Sequence, residues 1–215
     1  MEHKVVSVEP EYGNNYHTGY IGFTFKDNSF ISQGIAWFTK WTQGKNPDVP
    51  DVPLSHVFVV TGYDCCVEAT TPKVCFSPLS KYFDEPHTHV FFRKPTGWTL
   101  NLGTRIALAA SEREGCSYGY TLIAGHAIAN SVAGKVLDTV SFGATSKWFK
   151  AMFEKKHQFI CSELASMAMK AQPEFENVGV LADHQPYEID PQMLFQDTEI
   201  FTKWTKKVNG TEVKV

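Results

Sequence analysis

One stretch restricts the folding options of this chain more than any other: Lys156-His157-Gln158-Phe159-Ile160-Cys161-Ser162-Glu163-Leu164-Ala165-Ser166-Met167-Ala168. From Cys161 onward, apolar or small residues recur at 161, 164, 165, 168 and 171, and no proline interrupts them until Pro173. That spacing is one face of a 3.6-residue period, so it predicts a buried helix with Cys161 in its first turn, fed by the end of a strand or loop. The first turn of a helix has backbone N–H groups without intrahelical partners and the positive end of the helix dipole. Both favour a thiolate over a thiol, and both can hold an oxyanion beside it. This is the geometry a nucleophilic cysteine needs. It is equally the geometry of a small thiol packed under a helix, since free cysteine is among the most buried residue types. The remainder of the chain has to separate the two.

A chain of 215 residues with 43% hydrophobic content can bury a sizeable core, and we read it as a single domain over residues 1–215. The net charge is -3, from 20 basic and 23 acidic residues, and no basic run is longer than Lys155-Lys156 or Lys206-Lys207. Nucleic acid is therefore not an expected partner. Met1 to Tyr20 is polar and interrupted by Pro10 and Gly13, with neither the apolar core of a signal peptide nor a transmembrane segment. Cytoplasmic synthesis is the expectation; a phage or another lysis-dependent route of release would leave the same composition. The five cysteines, at 65, 66, 75, 116 and 161, are odd in number and include no CxxC pair. That argues against a disulfide framework and a cysteine-rich zinc site, and no cofactor is called for. The oligomeric state is not legible.

In chain order, Gly19-Tyr20-Ile21-Gly22-Phe23-Thr24-Phe25 is rich in strand formers and predicts a first strand. Ser29 to Trp41 has helical spacing, with Ser29 placed as a cap and Gly44 beyond the end, whereas the three prolines of Asn46 to Pro53 predict a surface loop. Next comes a hairpin: Ser55-His56-Val57-Phe58-Val59-Val60-Thr61, the turn Gly62-Tyr63-Asp64, then Cys65-Cys66-Val67-Glu68-Ala69-Thr70. If residues 60 and 64 face each other, His56 and Glu68 are direct cross-strand neighbours on one face. A carboxylate beside an imidazole fixes its tautomer and supports its charged form, the relationship of orienter and base in hydrolytic triads. A slip of one residue would instead put the two on opposite faces, as at an ordinary solvated sheet edge.

Thr71 to Pro95 contains Pro72, Pro78, Pro86 and Pro95 around two short strand-like runs, Val74-Cys75-Phe76 and His89-Val90-Phe91-Phe92-Arg93. His87 and His89 alternate as strand residues do, but no third ligand has a recognisable spacing, so no metal site is expected. Leu100 to Ala110, Tyr120 to Val140 and Thr145 to Phe153 suit helices and form a mainly helical insertion at about residues 100–155. Gly179 to Gln185 reads as a loop, Asp190-Pro191 as a helix start with proline in its first turn, and Ile200 to Trp204 as a closing strand.

A glycine-led strand, a helix, a Ser-His-Val strand, a hairpin to Glu-Ala, a long helical insertion, then Phe159-Ile160-Cys161-Ser162-Glu163-Leu164 and Asp190-Pro191 occur in that order. This order resembles the circularly permuted NlpC-type papain-like cysteine hydrolases, the YiiX/YebB-like group related to lecithin:retinol acyltransferase. The segments that carry the resemblance best are Leu54-Ser55-His56-Val57, Cys161-Ser162-Glu163-Leu164 and Val67-Glu68-Ala69, and it spans most of Gly19 to Phe201. In ordinary papain-like enzymes the cysteine precedes the histidine; in the permuted group, as here, the histidine comes first. The opening strand departs from the usual Gly-Asp-Ile, reading Gly19-Tyr20-Ile21.

The resemblance implies an α+β fold in which an antiparallel β-sheet or barrel packs against helices. It also implies Cys161 as nucleophile, His56 as its general base and Glu68 as the residue that orients the imidazole. The implied chemistry is acyl transfer from a peptide or acyl-amide substrate, of peptidoglycan or γ-glutamyl type. A lipid acyltransferase or lipid hydrolase with the same triad is the second reading, for which Trp148, Phe149 and Phe153 would offer an acyl groove. A catalytically idle binding or structural protein of the same fold is the third.

Overall fold

The computed structural model describes residues 16–26, 54–118, 158–202, 205–208 and 211–214. Its strands are β1 (Ile21–Lys26), β2 (His56–Gly62), β3 (Cys65–Ala69), β4 (Val74–Ser77), β5 (Thr88–Arg93), β6 (Ser117–Tyr118), β7 (Gln158–Phe159), β8 (Thr205–Val208) and β9 (Thr211–Lys214). Its helices are α1 (Ser80–Asp84), α2 (Leu100–Ser111), α3 (Cys161–Lys170), α4 (Val180–Asp183) and α5 (Pro191–Gln196), with a 3-10 turn at Pro186–Glu188 before α5. β1 to β5 form one antiparallel sheet in the order β4-β3-β2-β1-β5, and helices pack on it, so the architecture is α+β with an open sheet.

The sheet is buried on both faces because its strands alternate two sets of side chains. Ile21 and Phe23 of β1, Val57 and Val59 of β2, Val67 and Ala69 of β3 and Phe91 of β5 point to one side. They meet Leu102, Ile106 and Ala110 of α2 and Leu164, Ala165, Ala168 and Met169 of α3 in the larger core. Phe58, Val60, Cys66 and Val90 point to the other side and meet Tyr16, Leu79 and Tyr82 in a smaller one. The second core depends on the absence of a side chain at Gly22. A Cβ there would lie 2.1 Å from the Phe58 ring, which occupies the space above β1. Gly22→Ala is expected to force that ring aside and to lower the urea midpoint by the equivalent of about 1–3 kcal/mol. An unchanged midpoint would show that the ring has room to move.

The predicted helix at Cys161 is present as α3, but its inner face differs in detail. Met169, Ser162 and Ser166 are buried along with Cys161, Leu164, Ala165 and Ala168, whereas Ala171 is the exposed C-cap. The first strand, the hairpin strands, β4, β5, α2 and the Pro191 helix start coincide with the expected segments to within one or two residues at their ends, β1, β2, β4, β5 and α2 each running one residue past the expected bound. The loop expected over residues 179–185 is corrected: Gly179, at φ +52°, opens the short helix α4, held where the Asp197 carboxylate accepts the Val180 N–H at 2.5 Å. Of the expected closing strand, the described residues show a single bridge between Pro95 and Phe201, and a separate two-stranded hairpin, β8–β9, follows it. The expected helix over 29–41, the proline loop at 46–53 and the insertion beyond Tyr118 lie outside the described residues, as do Trp148, Phe149 and Phe153.

Candidate active site

His56 opens β2 and Glu68 is the fourth residue of β3. The register between these strands is not the expected one. Phe58 pairs with Glu68, Val60 with Cys66 and Gly62 with Cys65, with an irregularity between Val60 and Gly62. Two residues, Tyr63 and Asp64, make the turn, and Thr61 is the extra residue of a bulge, so the pairing is displaced by two positions from the one expected. A displacement of two preserves the face on which each side chain lies, whereas a displacement of one would have reversed it. His56 and Glu68 are thus diagonal rather than direct neighbours, and their side chains are long enough to meet. His56 Nε2–H donates to Glu68 Oε2 at 2.7 Å.

The other hydrogen-bonding partner of the His56 side chain is Cys161. Ile160, the N-cap of α3, has an apolar side chain and makes no cap bond, and the first backbone bond of the helix is from Leu164 N–H to the Ile160 carbonyl at 3.1 Å. The N–H groups of Cys161 and Ser162 therefore stand at the helix start without a capping side chain from Ile160. The structure brings all three sequence-predicted site residues together: Cys161 at the start of α3, His56 between it and Glu68.

Electrostatics follow from this arrangement. Burial alone would lower the pKa of His56, but its hydrogen bonds with Cys161 and Glu68, and the negative charge each can carry, raise it to about 10. Burial alone would raise the pKa of Glu68. The hydrogen bond and charge of His56, with hydrogen bonds from Lys81 and Ser77, hold it instead well below the usual carboxylate range. A protonated imidazole between a carboxylate and a sulfur is the partner a thiolate needs. Burial pushes the Cys66 thiol up, and the negative charge of Glu68 on the same strand adds to this.

Glu163, in the first turn of α3, is raised to about 7 by burial, against the pull of the Ile160 N–H that its Oε2 accepts at 3.4 Å. Its folded pKa lies above the unfolded value of about 4.3, so ionising it costs folded stability as pH rises through that window. Glu163→Gln is expected to raise the urea midpoint at about pH 8 relative to wild type, with a much smaller gain at about pH 4. Equal effects at the two pH values would show that Glu163 does not titrate between them.

Two residues of the site were not found from the sequence. Tyr82 OH donates to Glu68 Oε2 at 2.5 Å, and the Lys81 ammonium hydrogen-bonds Glu68 Oε1. Both stand on α1, five residues long between Pro78 and Pro86, whose start is capped by Asp64 of the hairpin turn: its Oδ1 accepts the Ser80 N–H at 2.8 Å. The only local signal was an acidic turn residue and a Ser-Lys-Tyr-Phe run between prolines. His87 and His89 are exposed, His89 stacking on Phe25 with ring centroids 6.4 Å apart. All five cysteines are free thiols. Among the described residues, no helix is long and apolar enough to cross a membrane. The chain matches no family model, no curated protein and no solved structure.

Proposed function

We propose that this protein is a cysteine-dependent amide hydrolase that works through an acyl-enzyme, with Cys161 as nucleophile, His56 as base and acid, and Glu68 as the orienting carboxylate. The observation that carries the reading is the placement of one imidazole between a buried carboxylate, 2.7 Å away, and a cysteine at a helix start whose N-cap side chain makes no hydrogen bond. The open α+β sheet with helices and the His-before-Cys order support a permuted NlpC-type papain-like fold.

In this mechanism His56 takes the Cys161 proton, and the thiolate attacks the carbonyl carbon of an amide. A C–S bond forms and the C=O π pair moves to oxygen, where the N–H groups at the start of α3 stabilise it. His56 then gives its proton to the leaving amine as the C–N bond breaks. Water, deprotonated by His56, attacks the thioester in the second half, releasing a carboxylic acid and restoring the thiol. Glu68 keeps Nε2 protonated throughout and supports the imidazolium that appears in each half. Peptides of cell-wall or γ-glutamyl type are the proposed substrates.

The test is mass spectrometry of trapped acyl-Cys161 after incubation with cell-wall peptides and, separately, with lipid extract. A peptidyl adduct with release of free amine is the expected result. A fatty-acyl adduct would transfer the same triad to lipid substrates, and no adduct on Cys161 from either source would overturn the assignment.

A further inference from the structure

We propose that Lys81 and Tyr82 are positioning residues that set how much of the Glu68 charge reaches His56, and so fix the pH range over which Cys161 is reactive. The inference rests on the reading of the site given above. Glu68 is 1% exposed, so its two oxygens are apportioned among protein donors rather than shared with solvent. Oε2 accepts from both His56 Nε2 and Tyr82 OH, at 2.7 and 2.5 Å, while Oε1 is taken by the Lys81 ammonium. A carboxylate with a single partner would give its whole field to the imidazolium. One already paired with an ammonium and a phenol gives less, because each donor drains the same negative charge.

These donors are fixed from several directions. The Tyr82 ring lies flat on Phe58, with centroids 4.7 Å apart and planes 7° from parallel, and Phe58 is seated over Gly22. Lys81 Nζ stands 4.7 Å from the centre of the Tyr82 ring. Asp64, in the turn of the hairpin that carries His56 and Glu68, ties down Ser80 at the start of α1 through its N–H and Oγ, at 2.8 and 3.4 Å. The hairpin thus holds the helix that holds its own carboxylate. Among the described residues, the other titratable groups beside these side chains are Cys66 on β3, Cys161 on α3 and Cys75 on β4, which pairs opposite Glu68 and acts on Cys66. Neutral Ser77 of β4 adds a hydrogen bond to Glu68. Lys81 is the ammonium in this set.

The signs of the expected effects follow. Removing the ammonium strengthens the hold of Glu68 on the imidazolium, so the alkaline limb of Cys161 reactivity moves to higher pH. It also lowers the positive potential at the sulfur, so the acid limb, where the thiolate forms, moves up as well. Removing the Tyr82 hydroxyl returns charge to Oε2, the atom that His56 uses, and raises the alkaline limb.

The experiment is the rate of Cys161 carboxymethylation by iodoacetate, an anion drawn by the imidazolium so that the rate falls when His56 loses its proton, followed by peptide mapping from about pH 4 to about pH 11, with urea midpoints measured on the same samples. Wild type is compared with Lys81→Met, Lys81→Arg and Tyr82→Phe. Lys81→Met is expected to raise both limbs by about half a pH unit or more, Tyr82→Phe the alkaline limb, and Lys81→Arg neither. Limbs unmoved in Lys81→Met and Tyr82→Phe, with or without a lower midpoint, would leave both residues a structural role alone and overturn the proposal. The triad reading fails differently: Cys161 of wild type would titrate as one ordinary thiol with no reactivity on the acid side, and the proposal would fall with it. Should Tyr82→Phe not fold, Lys81→Met decides the matter, since the Lys81 side chain is 38% exposed and outside the core.

Discussion

At about pH 6, substoichiometric iodoacetamide is expected to modify Cys161 ahead of the other four cysteines, and His56→Ala to slow that modification sharply. An ordinary thiol, with a pKa of about 8.5, is almost wholly protonated at this pH. Cys161 alone among the five joins a helix start to an imidazole hydrogen bond. Cys66, on the same strand as Glu68, is buried and pushed towards the neutral thiol by burial and by that carboxylate. Cys65, Cys75 and Cys116 are half-buried and so accessible enough to serve as internal controls. Exposure would favour those controls, since Cys161 is only 6% exposed; labelling of Cys161 first therefore measures thiolate character against access. Peptide mapping that found Cys75 or Cys116 modified earlier, or Cys161 labelling indifferent to the loss of His56, would return Cys161 to the core as a packed thiol.

Glu68→Gln is expected to lower kcat by about a hundred- to ten-thousandfold with KM little changed. Two effects add. The amide carries no charge to support the imidazolium, and it has one acceptor oxygen where the carboxylate offers two, although His56, Tyr82 and Lys81 all donate there. The Lys81 ammonium then stands near the imidazole without its counter-charge, which further disfavours protonated His56. Steady-state kinetics on whichever substrate acylates Cys161 will check this. Activity within a few-fold of wild type would remove Glu68 from the mechanism, and His56→Ala should be at least as damaging, because His56 is the group that takes the Cys161 proton in the proposed mechanism.

How legible these features were in the sequence depended on how local their causes are. The helix at Cys161 was readable because its periodicity runs unbroken from Cys161 to Ala168, and a helix needs no distant partner to declare its face. The His56–Glu68 pair was readable as a face but not as a register. Strand alternation survives a two-residue displacement, while the bulge at Thr61 that caused it left no distinctive residue behind. α1 was not readable at all. It is five residues long, and its start is fixed by Asp64, 16 residues earlier, so neither periodicity nor local capping marks it. The two donors on Glu68 went unseen for that reason. α4 was missed similarly: a single turn stabilised by the Asp197 carboxylate, 17 residues downstream of Val180, has no local signature.

The short parallel pairing of β6 with β7, Ser117 beside Gln158 and Tyr118 beside Phe159, sits just ahead of Cys161. β6 is itself fastened to the segment before β4, where Tyr118 N–H donates to the Pro72 carbonyl at 2.9 Å and Lys73 bridges Ser117. The chain therefore leaves at Tyr118 and returns at Gln158 beside its own point of departure, neighbouring strands being about 4.8 Å apart. Closing a loop between two such adjacent posts depends only weakly on how many residues it contains. A change in the number of residues between Tyr118 and Gln158 therefore costs little closure entropy at the two posts that stand just ahead of Cys161.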